Sequence, residues 1–230
     1  MYDFIADLDA YFCETYANYD KICVLKGYHM PKMQDTKLDE FGRTYAYTLP
    51  ANTMRLALQE NKAELLKALK AQMRDKTFSF SFFPLGFFKR LKNKISRYGS
   101  KKWLKETLKR YNVTPMEAGE QLNIAPKIWK EICKGNFKPT KNTLLSLALT
   151  ANMSIEDAEN LLLACGYELD YTIVKDVVIS YLLMQKVFNR AMIDAALAEY
   201  RVENLFLKNS KSHVKELHFY ADDAIMIKMK

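Results

Sequence analysis

The stretch Leu108–Ser154 constrains the fold more than any other, because turn formers and apolar residues alternate there at intervals too short for anything but small packed helices. Thr114 and Pro115 open the first helix, as an N-cap followed by proline at the first helical position, and it runs to Leu122. Asn123 stands where the chain must bend sharply and where a left-handed conformation costs asparagine little. A second helix follows over Ala125–Lys134, with Gly135 just past its end as a C-cap. Pro139 and Thr140 restart the chain into a third, Lys141–Ala151. Two helices joined by so short a turn form a helix-turn-helix unit.

The apolar and small positions of this stretch resemble those of the lambda-repressor-like (XRE-type) helix-turn-helix family. The matching residues are Val113 before the first helix, Gly119 where the helices cross, and Leu122 and Ile124 around the turn. Trp129 and Ile132 supply the inner face of the second helix, and Gly135 and Pro139 lead into Leu144, Leu145, Leu147 and Ala148. With the helices that follow, the region also resembles an extended C-terminal helix-turn-helix-like module found on assorted Firmicutes proteins. The family resemblance implies DNA binding. In such proteins polar side chains at the starts of both helices meet phosphates and base edges, whereas Pro115, Ala125 and Pro126 occupy those places here.

Charge reinforces the resemblance. The formal net charge is +8. Between Lys89 and Arg110 ten basic residues face Glu106 alone, and between Ala125 and Lys141 five lysines face Glu131 alone, so the rest of the chain is net acidic. Positive charge concentrated in this way is the footprint of a polyanion-binding surface. Lys127, Lys130 and Lys134 fall on one helical face, which Lys138 and Lys141 are expected to extend beyond the turn. Lys101, Lys102 and Lys105 complete the candidate DNA-binding set. Lysines contact phosphates as point charges, which gives salt-dependent affinity with little base selectivity. Trp129 is expected to pack in the core.

Elsewhere helical spacing dominates. Phe4, Leu8, Phe12 and Tyr19 recur with helical period over residues 3–19, and Thr44–Thr48 reads as a short strand. Asn52 and Thr53 are expected to cap a helix reaching Met73. Thr77–Phe83 alternates aromatic residues with serine, a strand pattern. Phe87–Arg97 reads as a basic amphipathic helix whose Phe87, Phe88, Leu91 and Ile95 dock on the protein's own core; the competing reading places it on an anionic membrane surface. Residues 101–200 are helical almost throughout. Lys208–Ser212 is a polar linker, and the segment after it reads as a β-hairpin broken at Asp222-Asp223.

The expected architecture is mainly α: an α+β region over 1–99, a helical helix-turn-helix domain over 100–208, and a linker with hairpin tail over 209–230. No apolar run approaches the ~18 residues of a membrane span. The acidic start MYDFIADLDAYF does not read as a signal peptide, and the address expected is the cytoplasm. Cys13, Cys23, Cys133 and Cys165 lie too far apart for a disulfide framework or a zinc site and read as small buried hydrophobes. No cofactor or metal is implied. Asp7-Leu8-Asp9 and Tyr220-Ala221-Asp222-Asp223 resemble acidic motifs of two different polymerase families, but a helical module separates them, and both are read as coincidental. The expected function is a non-enzymatic DNA-binding regulator, with a homodimer possible. The alternative is a helical adaptor that docks a protein partner without DNA.

Overall fold

A computed structural model describes residues 3–30, 34–48, 56–74, 84–95, 99–202 and 205. Eleven α-helices and one two-stranded antiparallel sheet occur among the described residues, so the protein is mainly helical. The chain divides into two compact units, both discontinuous in sequence. One comprises Met1–Asp75, Asp170–Tyr181 and Ala196–Val202, and the other Lys76–Leu169, Leu182–Ala195 and Glu203–Lys230.

In the first unit, α1 (Phe4–Thr15) starts at Asp3, whose side chain accepts from the N–H groups of Ile5 and Ala6. The expected helical period ends at Thr15, and α2 (Tyr19–Cys23) begins afresh behind the cap Asn18. Strands β1 (Gln34–Leu38) and β2 (Thr44–Thr48) form a hairpin with Gln34 opposite Thr48 and Leu38 opposite Thr44. Its turn is organised by the Asp39 carboxylate, which accepts from the backbone of Phe41 and Arg43 at 2.8 Å each. The helix expected from Asn52–Thr53 onward begins later. Those two residues lie outside the described set, Leu56–Leu58 is a 3-10 turn, and α3 spans Lys62–Gln72. Asn61, at the cap position, makes no capping bond, and its side-chain amide donates to the Gly27 carbonyl at 3.1 Å. Buried Gln59 meanwhile exchanges two hydrogen bonds with the His29 backbone, at 2.6 and 3.0 Å. The core gathers Leu8, Phe12 and Tyr16 of the first helix region with Leu56, Leu65, Leu69, Tyr181 and Tyr200.

In the second unit one turn recurs. Helices α5 (Ser100–Arg110), α6 (Pro115–Gln121) and α8 (Lys141–Thr150) each run into an asparagine of positive φ: Asn112 at 53°, Asn123 at 55° and Asn152 at 55°. The apolar residue that follows closes a bond back into the helix: Val113 N–H to Leu108, Ile124 to Gly119, and Met153 to Ala148. This is the Schellman arrangement, which satisfies the last carbonyls while turning the chain. Two of these turns feed directly into a capped helix. Thr114 and Glu117 form a reciprocal capping box on α6, and Ser154 caps α9 (Ile155–Ala164). The third feeds α7 (Pro126–Cys133), whose cap position holds Ala125 and carries no side-chain bond.

The middle of this unit is α8, whose residues from Asn142 to Leu149 are all buried, the polar Asn142, Thr143 and Ser146 included; a helix buried around its whole circumference belongs inside a bundle. Trp129 on α7 is buried as expected, and its indole N–H donates to the Pro115 carbonyl. It packs where α6 passes closest: a Cβ built on Gly119 would lie 2.6 Å from Trp129 Cδ1.

Helix α10 (Val174–Met184) is buried at every residue from Val174 to Leu183, and helix α11 (Arg190–Glu199) buries Ile193, Ala196 and Leu197. Several expectations need correction. Gly99, read as part of a boundary, is buried between α5 and α4 (Phe87–Ile95), tightly against Asn93. Phe87, Phe88 and Leu91 do not dock on a core; they are 74%, 82% and 48% exposed. All four cysteines are free thiols, but only Cys13 and Cys165 are buried; Cys133 is half-buried and Cys23 exposed. The strand expected over Thr77–Phe83, the linker Lys208–Ser212 and the hairpin tail lie outside the described residues. No described helix is long and apolar enough to cross a membrane.

Two outcomes follow from this packing. Gly119→Ala gains roughly 1 kcal/mol of helix propensity but forces Trp129 out of place, and overpacking of that kind costs about 1–3 kcal/mol. We expect a net loss of stability for Gly119→Ala and a larger one for Gly119→Val, read from urea unfolding midpoints; an unchanged midpoint for Gly119→Val would show that Trp129 is loosely held. Burial pushes the thiols of Cys13 and Cys133 up to about 11 and that of Cys165 up to about 12, which keeps them protonated. A thiol-disulfide reagent at neutral pH should therefore modify one thiol per chain quickly, and Cys23→Ser should abolish that fast phase.

Candidate nucleic-acid interface

The second unit brings together two basic stretches that are distant in sequence. Its key residue is Asn93, on the polar side of α4. The Asn93 Nδ2 donates to the Gly135 carbonyl at 3.3 Å. Its Oδ1 accepts from the Ser100 hydroxyl at 3.1 Å and from the Lys101 N–H at 3.4 Å. One side chain thus ties the end of α7 to the start of α5 and to α4. A larger residue in place of Gly135 is strained for two reasons. Its φ is +74°, and an added Cβ would lie 3.0 Å from both Asn93 Nδ2 and Lys101 Cβ. The segment before α4 completes the seam: the Leu85 N–H donates to the Asn136 carbonyl at 2.8 Å, and Pro84 bridges to Phe137. Glu131 of α7 closes the turn from its other side. Its carboxyl is held below the usual carboxylate range, first by the Asn136 side-chain amide at 2.7 Å and then by Lys134.

On α7 the expected division of faces is present. Ile128, Trp129 and Ile132 are buried, and Lys127, Lys130 and Lys134 are exposed. Lys134 pairs with Glu131 at 3.0 Å across one exposed helical turn, a contact of modest strength. Lys101 lies beside the end of α7 through the Gly135 contact, its side chain half-buried. Lys102 and Lys105 are exposed on α5, with Lys102 3.6 Å from Glu106. The remaining two do not simply prolong the α7 face. The Lys138 ammonium stands 4.1 Å over the ring of Tyr167, whose hydroxyl donates to the Pro139 carbonyl, and Lys141 is half-buried at the start of α8. Sequence reasoning missed Asn93. It lies within the basic run, but nothing local marks one asparagine as the joint.

An open apolar groove lies in the same unit. It has a volume of about 530 Å³ and is lined by Leu104, Leu108, Val113, Pro115 and Cys133, with Lys105 and Lys109 contributing.

In the first unit, the acidic pair of the polymerase-like string is engaged with neighbouring side chains. The Tyr181 hydroxyl donates to Asp7 at 2.7 Å. Asp9 accepts from the Tyr200 hydroxyl at 2.7 Å and from Lys70 at 2.7 Å, and Lys70 also reaches Glu199 at 2.6 Å. Burial, followed by the bond to Asp9, drives the Tyr200 hydroxyl far above its ordinary range, so it remains a donor. Among the described residues, no three His, Cys, Asp or Glu side chains cluster to hold a metal ion. Tyr220–Asp223 lies outside the described set.

Against known proteins, the chain matches no family model, and no curated protein or solved structure is significantly similar to it.

Proposed function

We propose that the chain is a non-enzymatic, DNA-binding regulatory protein in which α6 and α7 form a lambda-repressor-like helix-turn-helix. The observation that carries the reading is the exposed row Lys127, Lys130 and Lys134 on the side of α7 away from its buried Trp129, with the basic start of α5 pinned beside its end. In this arrangement α7 takes the place of the recognition helix at the major groove, and α6 crosses the backbone. Pro115, Ala125 and Pro126 offer no polar groups to read bases at the helix starts. Phosphate contacts therefore dominate, and binding is steep in salt and weakly selective. The groove beside α5 favours a second reading, in which the same helices dock an apolar segment of a protein partner.

Fluorescence anisotropy with a labelled duplex separates the two. We expect binding at low salt that weakens steeply as salt rises. Reversing Lys127 and Lys130 together to glutamate should lower low-salt affinity by about tenfold or more and reduce the salt slope by about two. If the double reversal binds the duplex as well as the parent, this face is not the interface. A protein that purifies with a stoichiometric partner and no nucleic acid would favour the adaptor reading.

A further inference from the structure

Helix α4 is amphipathic in an inverted sense. At ~100° per residue, Phe87, Phe88 and Leu91 share an arc of roughly 100°, and Asn93 falls diametrically opposite its centre. It is the Asn93 side that faces the protein, held through Gly135, Ser100 and Lys101. The apolar arc therefore faces outward, with Phe87 and Phe88 meeting edge to face at 5.7 Å between ring centres. Exposed Lys92 borders the arc on one flank and half-buried Arg90 borders it on the other, while exposed Lys89 lies farther round, toward the Asn93 side. No acidic residue occurs from Lys76 to Lys105.

We propose that this face docks on an anionic membrane surface. Phe87, Phe88 and Leu91 enter the boundary between headgroups and acyl chains, while Lys92, at the edge of the arc, remains at the level of the anionic headgroups. The choice of occupant follows from charge and chemistry together. A second copy would bring the same cations against these, a like-charge juxtaposition that opposes pairing. A lipid interface receives apolar side chains and flanking cations at once, which is the pattern of helices that lie in the plane of a bilayer. Lysine stems extend along apolar surroundings while their ammonium groups stay in water, so no charge is buried on insertion. The strip is short, and the association is therefore reversible and depends on both the aromatic pair and the charges.

Co-sedimentation of the full chain with vesicles tests the proposal. The probes are vesicles of phosphatidylcholine alone and vesicles of phosphatidylcholine mixed equally with phosphatidylserine. The full chain should pellet with the mixed vesicles and stay in solution with the neutral ones. Phe87→Ala/Phe88→Ala should weaken the association by about tenfold or more, while circular dichroism and duplex affinity stay unchanged. Lys92→Glu should sharply reduce the preference for the anionic vesicles. Equal binding to both vesicle types or undiminished pelleting of the phenylalanine double variant would overturn the proposal. So would a dimer in solution that this variant dissolves, because the face would then belong to a second copy.

Discussion

The left-handed turn is the constraint on which the second unit rests. Its helices α5 to α9 run only seven to eleven residues, and isolated helices of that length are marginal in water. They persist because each is stopped by a defined turn and handed to the next at a fixed angle. Asn112, Asn123 and Asn152 accept positive φ at small cost, and Gly135 and Gly166 take the same role after α7 and α9. The apolar residue behind each asparagine both closes the hydrogen bond and enters the packing: Ile124 and Met153 are buried, and Val113 lines the groove. Capping and core formation are therefore the same event, which permits connections of four residues.

The same geometry explains why α7 presents lysines outward. Trp129 can be buried against α6 only because Gly119 leaves it room, and the indole then satisfies its own donor at Pro115. With Ile128, Trp129 and Ile132 fixed inward, helical periodicity leaves Lys127, Lys130 and Lys134 on the exposed side. The basic face is a consequence of the packed one.

Much of this was legible because it is local. Thr114-Pro115, Asn123, Gly135 and Thr140 are short-range signals, and each stands at the helix end that it was read to mark. What was illegible depends on pairing across the sequence. Asp9 meets Lys70 and Tyr200, and Asp7 meets Tyr181, across separations that no periodicity encodes. The grouping of Asp170–Tyr181 and Ala196–Val202 with the N-terminal segment is of the same kind. The misreading of Phe87 and Phe88 has a different cause. Helical spacing tells which residues share a face, and it is silent about whether that face turns inward.

For α4 the magnitudes show why its orientation matters. Burying a phenylalanine side chain stabilises by about 1.5–3 kcal/mol, so leaving Phe87 and Phe88 in water forgoes several kcal/mol. Against this stand the three hydrogen bonds of Asn93, each worth a net ~1 kcal/mol, and the close fit of Gly99 and Gly135 around it. The two sides are comparable. The polar joint holds α4 with its apolar face outward at little net advantage over water, and a surface that accepts the two rings would add their transfer energy without breaking a bond to Asn93. An apolar layer carrying negative charge meets that condition and engages Lys92 as well, whereas a rotation of α4 onto the protein would have to give up the joint that places α5 beside α7.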